Sequence, residues 1–162
     1  MSTTAPPRRR LRAALLATVA VTATILGIAP AHAAGTLNSQ GKPATASSTE
    51  NAGLGAANAV DGSTGTRWSS AFGDPQWLEV DLGGAATVSQ VVLNWEAAYA
   101  TGFQLQTSND GVNWTSIYST TTGTGGNQSL AVTGSGRYVR MNGTQRATQY
   151  GYSLWEFQVY GS

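Results

Sequence analysis

The sequence predicts an all-β domain, an antiparallel sandwich of short strands. Three observations predict it: apolar residues recur at every second position, Gly, Ser, Thr and Asn fill the intervals, and one hairpin signal sits mid-chain. Leu78, Val80 and Leu82 alternate with Glu79 and Asp81, the period of a half-buried strand. Val88 to Trp95 is β-branched and apolar, and Phe103, Leu105 and Thr107 alternate with Gln104 and Gln106. Asn109-Asp110-Gly111 separates that run from Trp114 to Thr120, which marks a hairpin. Leu130-Ala131-Val132 and Arg137 to Met141 flank Gly134-Ser135-Gly136, and Leu154 to Tyr160 closes the set. Helix has little room beyond a turn at Gly55 to Val60.

Residues 1–33 read as a secretory signal peptide and residues 34–162 as one folded module. Arg8, Arg9, Arg10 and Arg12 form a basic start, Ala13 to Ile28 is apolar, and Ala31-His32-Ala33 supplies a small-x-small cleavage pattern. Pro30 and the small residues after it argue against an uncleaved anchor. A secreted, extracellular protein is expected, exported by either the general or the twin-arginine route. Without the signal, Lys42, Arg67, Arg137, Arg140 and Arg146 face eight acidic residues, a net charge of −3. An acidic domain gains nothing from phosphate counterion release, so no nucleic acid partner is expected, and no basic stripe suggests a membrane surface. The remaining chain of roughly 128 residues suits one domain. It has no Cys, and its single His leaves with the signal. That removes disulfides, the commonest general base and the commonest transition-metal ligand. A monomer is expected.

Asp61, Ser63 and Thr66 stand at i, i+2 and i+5 in a loop where Gly62 and Gly65 permit sharp turns. Hard cations such as Ca²⁺ want six to eight oxygens in an irregular cage. One carboxylate is too few, so a second must come from elsewhere. Glu156, set among Leu154, Trp155 and Phe157, needs a compensating partner and is the candidate. The alternative is a plain Asx-turn at Asp61, with Glu156 paired to Arg67.

Sugar recognition needs a few orienting polar groups and an aromatic ring for the apolar face of a pyranose. Trp68, Trp77 and Trp114 lie in or beside apolar strand pattern and are assigned to packing. Phe72, Tyr150 and Tyr152 are flanked by turn residues, and Trp155 alternates with Glu156. Glu50, Arg67, Glu96 and Arg146 fall at loop positions between the strand runs.

The segments Asn58-Ala59-Val60-Asp61-Gly62-Ser63-Thr64-Gly65-Thr66-Arg67-Trp68 and Leu154-Trp155-Glu156-Phe157-Gln158-Val159-Tyr160-Gly161 resemble the metal loop and closing strand of discoidin domains. These are also called coagulation factor 5/8 type C domains, and their bacterial relatives include the family 32 carbohydrate-binding modules. The resemblance spans Pro43 to Gly161. It implies a galactose-binding-domain-like, jelly-roll β-sandwich of about eight antiparallel strands. It also implies structural Ca²⁺ held by Asp61, Ser63, Thr66 and Glu156 with the backbone carbonyls of Asn58 and Trp155. The wording Leu93-Asn94-Trp95-Glu96-Ala97-Ala98-Tyr99 with Gly151-Tyr152-Ser153-Leu154-Trp155-Glu156 is similar to modules appended to secreted chitosanases and β-glucanases. In the chitosanase-linked kind, acids matching Glu50 and Glu96 hold glucosamine amines. An arginine matching Arg67 and aromatics matching Phe72 and Trp155 complete that site, with Tyr152 added here on its turn flanks.

The resulting expectation is a non-catalytic carbohydrate-binding module with no catalytic residues. Its favoured ligand is a glucosamine-rich polymer such as chitosan, with β-glucan as runner-up. A galactoside is disfavoured, because galactose-binding members usually rely on a His. Two competing classes remain open: a glycosidase using Glu50 and Glu96 as acid and base, and an adhesive protein- or lipid-binding discoidin domain using Phe72 as a spike.

Overall fold

The computed structural model describes residues 35–162 together with Met1 and Ser2. The predicted signal peptide falls almost wholly outside the described residues. Eight strands form one antiparallel system: β1 (Thr36–Leu37), β2 (Ala44–Ala46), β3 (Trp68–Ser69), β4 (Gln76–Trp95), β5 (Ala100–Ser108), β6 (Thr115–Thr120), β7 (Asn127–Arg146) and β8 (Ser153–Gly161). A single 3-10 turn at Ala56–Ala59 stands where the sequence leaves room for one. No described helix is long and apolar enough to cross a membrane.

The two long strands make the sandwich. β4 and β7 pair along their whole lengths, with register shifts between Asp81 and Ala86 and between Val88 and Gln90. Bulges bend and twist a strand, so the sheet folds over and each long strand serves both layers. The first half of β4 pairs with β2, and the matching part of β7 pairs with β5, which pairs with β6. The second half of β4 pairs with β8, which carries β1 at its edge. The runs read as separate strands at 78–82 and 88–95 are therefore one bent strand, as are those at 130–132 and 137–141. The bulge at Ser89 also explains why Val88 and Val91 are both inward at odd spacing.

Leu78, Val80, Leu93, Phe103, Leu105, Met141, Leu154, Phe157 and Val159 are fully buried in one core cluster. Trp95 of one layer meets Phe103 of the other edge-on, 5.9 Å between centroids. Trp68 is buried as predicted, with its indole N–H donated to the Ser48 carbonyl at 3.1 Å. Trp77 and Trp114 depart from prediction: both are only half-buried, Trp77 because it stands on the outward side of the β4 alternation and Trp114 because it sits in the turn before β6, against the Arg140 guanidinium. The hairpin signal holds, since β5 and β6 pair across residues 109–114 and Gly111 takes φ 73°.

Packing is close around Tyr152, which is fully buried. A Cβ on Gly143 would lie 2.6 Å from the Tyr152 ring. Gly143→Ala is therefore expected to destabilise the domain by about 1–3 kcal/mol through overpacking, read as a lowered melting temperature. An unchanged melting curve would show that this ring can move.

Candidate functional site

A depression of about 310 Å³ opens where the loops before β3, after β4 and before β8 converge. Glu50, Arg67, Ser69, Glu96 and Tyr150 line it, with Ala97, Ala98 and Thr148. The sequence places Glu50 and Arg67 about a strand apart and Glu96 far along the chain, and the fold brings all three to one pocket.

Each polar member is held by its backbone. Glu50 N–H donates to the Ser69 carbonyl at 2.7 Å, and Ser69 N–H donates to Leu54 at 3.1 Å, so the Glu50 loop is stitched to β3. Glu96 N–H donates to the Ser153 carbonyl at 3.0 Å, and its Oε2 accepts the Ala98 N–H at 3.0 Å. Arg67 Nη1 donates to Ser153 Oγ at 2.7 Å, and Ser153 Oγ donates in turn to the Trp68 carbonyl at 3.0 Å. The Arg67 guanidinium lies 6.0 Å from the Trp155 ring centroid. Trp155 is not among the residues lining the depression. The ion pairs among the described residues are Arg137–Asp81 and Arg146–Asp74. Glu50, Glu96 and Arg67 therefore face the pocket without neutralising partners, two carboxylates against one guanidinium.

One aromatic assignment needs correction. Tyr152 is fully buried and cannot meet a ligand; its hydroxyl donates to Asp74 Oδ1 and its N–H to Ser70 Oγ at 2.8 Å. Burial, reinforced by the Asp74 carboxylate, pushes its phenol above the usual range. The exposed ring is Tyr150, two residues earlier and 52% accessible. Turn flanks drew attention to both tyrosines, and only packing separates them. Phe72, 54% accessible, meets Tyr150 edge-on at 5.6 Å and extends the aromatic rim beyond the pocket. Arg146 sets this rim: its Nη1 donates to the carbonyls of Gln149 and Tyr150 at 3.2 and 3.3 Å, and its Nε lies 3.4 Å from Asp74 Oδ2.

Beside the pocket, the loop after the 3-10 turn folds onto β8. Asp61 Oδ1 accepts the Ser63 N–H at 2.8 Å, and Asp61 Oδ2 accepts the Thr66 hydroxyl at 2.7 Å. Asn58 Nδ2 donates to Gly53 at 2.9 Å and to Arg67 at 3.0 Å, both backbone carbonyls. Glu156 is buried beneath this loop, 5% accessible, and its Oε1 has no hydrogen-bond partner. It pairs with no arginine, so the Arg67–Glu156 alternative does not hold. Burial, followed by the charge of Asp61, raises its carboxyl to about 7. The ladder from β4 to β8 runs Asn94↔Glu156 and Trp95↔Leu154, which leaves Trp155 as the extra residue of a bulge. Two facing carboxylates, one of them with an orphaned buried oxygen, beside the bulge at Trp155 fit a hard cation.

Residues 43–157 match the model of the F5/8 type C domain family. This chain belongs to that family. Among solved structures, chitosan-binding module 1 of a chitosanase/glucanase from Paenibacillus sp. IK-5 is similar to this F5/8 type C domain: 53% identical, TM-score 0.75, over 78% of this chain and 99% of that one. Chitosan-binding module 2 of the same enzyme, in complex with chitotriose, is 48% identical with TM-score 0.74, over 76% and 98%. Among curated proteins, the polysaccharide lyase 8 family protein HylA of Enterococcus faecalis is 40% identical over 68 residues. This F5/8 type C domain matches 5% of that protein's length.

Proposed function

We propose that this protein is a secreted, non-catalytic carbohydrate-binding module whose end pocket takes a glucosamine-rich polymer such as chitosan. The observation that carries this reading is the convergence of Glu50 and Glu96, unneutralised, with Arg67 and the exposed Tyr150 ring. A protonated amine wants a carboxylate in hydrogen-bond reach, and two carboxylates discriminate it from a neutral hydroxyl. Tyr150 offers a face for the pyranose C–H surface, and Arg67 offers donors for ring or hydroxyl oxygens. Similarity to chitosan-binding modules at 48–54% identity supports the same ligand class.

Ca²⁺ is proposed as a structural cofactor. Asp61, Ser63, Thr66 and Glu156 would hold it with the carbonyls of Asn58 and Trp155. When bound, it supplies positive charge to two facing carboxylates. The loop then pins to β8, and through Arg67 and Ser153 this steadies the adjoining pocket.

The test is a titration of the protein with glucosamine oligomers, followed by tryptophan fluorescence, beside matched glucose oligomers. Saturable binding of the amine-bearing series that weakens as salt rises is expected, since exposed charge pairs are screened. Silence toward glucosamine oligomers would discard the ligand, and turnover of a polysaccharide by purified protein would discard the non-catalytic reading.

A further inference from the structure

Ser153 is fully buried at the start of β8, yet its atoms reach two of the three charged residues of the end pocket. Its peptide holds the Glu96 loop from both sides. The Ser153 carbonyl accepts the Glu96 N–H at 3.0 Å, and the Ser153 N–H donates to the Ala98 carbonyl at 2.7 Å. Its Oγ holds Arg67, accepting from Nη1 at 2.7 Å. Across the β3–β8 ladder Ser153 pairs with Ser69, whose carbonyl accepts the Glu50 N–H at 2.7 Å. Glu50, Arg67 and Glu96 therefore all trace back to one residue.

The hydroxyl adds a part that the peptide cannot supply. A serine hydroxyl has one proton to donate and two lone pairs that accept. Here the proton goes to the Trp68 carbonyl at 3.0 Å, so Oγ meets Arg67 as an acceptor, which is what a guanidinium requires. Without that anchor, a flexible arginine sharing a pocket of about 310 Å³ with two carboxylates is drawn toward them. The ion pairs among the described residues are nevertheless Arg137–Asp81 and Arg146–Asp74, so Arg67 pairs with neither Glu50 nor Glu96. The neutral oxygen of Ser153 is the partner that competes with them. Glu96 is restrained from its own side, where Oε2 accepts the Ala98 N–H at 3.0 Å. Opposite charges are thus held apart by bonds to neutral groups. Selectivity depends on this separation, because a carboxylate already paired to an internal guanidinium attracts an incoming ammonium less.

We infer that Ser153 is a positioning residue for specificity: by holding Arg67 away from Glu50 and Glu96, it keeps both carboxylates open to a cationic sugar. This role rests on the reading of the end pocket as a site for glucosamine amines. The experiment measures glucosamine-oligomer binding by calorimetry, at low and high salt, for the unsubstituted protein, Ser153→Ala, Arg67→Gln and the double variant. Ser153→Ala is expected to weaken binding about tenfold, the loss of one bond to a charged group. Its salt dependence should flatten as well, since the released Arg67 neutralises an acid. In the Arg67→Gln background the same substitution is expected to change affinity by less than about twofold, because no guanidinium is left to restrain. An equal loss in both backgrounds would overturn the proposal and make Ser153 a purely structural residue. Undiminished affinity in Ser153→Ala would overturn it too, while leaving the end-pocket reading intact. Should Ser153→Ala fail to fold, NMR of the Arg67 guanidinium in the unsubstituted protein decides. Separate Nη signals, the mark of restricted rotation, support the anchor, and one averaged signal overturns it. Silence of the unsubstituted protein toward glucosamine oligomers would sink the end-pocket reading and this role together.

Discussion

Glu96→Gln is expected to weaken glucosamine-oligomer binding by about tenfold to a hundredfold, the loss of one hydrogen bond to a charged group. The substitution keeps the shape and keeps an oxygen that can accept the Ala98 N–H, now bonded at 3.0 Å to Oε2. The loop should therefore hold, and the melting temperature should stay where it was. What disappears is the negative charge that favours an ammonium over a hydroxyl. Glu50→Gln should act in the same direction, from a loop pinned to β3 by the 2.7 Å bond to Ser69. Because both acids face one pocket, their effects are not expected to add, and the double variant measures their coupling. The salt dependence of binding should also flatten in the variants. Calorimetry on the two single variants and the double one checks this. Undiminished affinity with a normal fold would place amine recognition elsewhere on the molecule.

Removal of the proposed calcium is expected to give the second large effect. Without a cation, Glu156 is a buried carboxylate opposite Asp61, with its carboxyl raised from 4.5 to about 7. The folded state then prefers the protonated form more strongly than the unfolded chain does. The contribution of Glu156 to the stability of the metal-free protein is accordingly greatest below about pH 4.5, falls as pH rises toward about 7, and is level above that. The ionisation costs about 3 kcal/mol across that window, or about 10 °C in melting temperature for a domain of this size. Calcium should cancel the penalty at pH 8 and do little at pH 5, since protons compete for the same oxygens. Glu156→Gln should abolish the calcium response and leave a melting temperature that no longer falls between pH 5 and 8. Melting curves at the two pH values, with calcium and with chelator, decide it: identical curves with and without metal would remove the cofactor.

Much of the fold was legible because strand pairing writes a period of two into the chain. Leu78, Val80 and Leu82 had to share a face, and so did Phe103, Leu105 and Thr107. The hairpin at residues 109–114 was legible for a local reason, since Gly111 alone supplies the left-handed conformation there. The bent strands were not. Two short apolar runs separated by Gly83-Gly84 or by Gly134-Ser135-Gly136 look like two strands, and only continued pairing between β4 and β7 shows them to be one. Trp77 and Trp114 were misassigned to the core because apolar size suggests burial, whereas parity along β4 sends Trp77 outward and Trp114 stands in the turn before β6.

At the site, the sequence by itself determined the chemistry available. Residues 34–162 hold no His and no Cys and few charges, and three of these, Glu50, Arg67 and Glu96, sit at loop positions that meet in one pocket. The tertiary structure alone decided which neighbours use that chemistry. Tyr150 and Tyr152 have the same local flanks, yet one is a half-exposed rim and the other is sealed against Asp74 and Gly143. Glu156 likewise might have met Arg67 or Asp61, and the bulge at Trp155 lays it beneath the Asp61 loop. Backbone pairing and burial are sums over contacts distant in sequence, with Ser39 and Phe157 or Tyr152 and Asp74 joined across most of the domain. Local residue patterns cannot encode such sums, so chemistry was readable along the chain while its placement required the folded molecule.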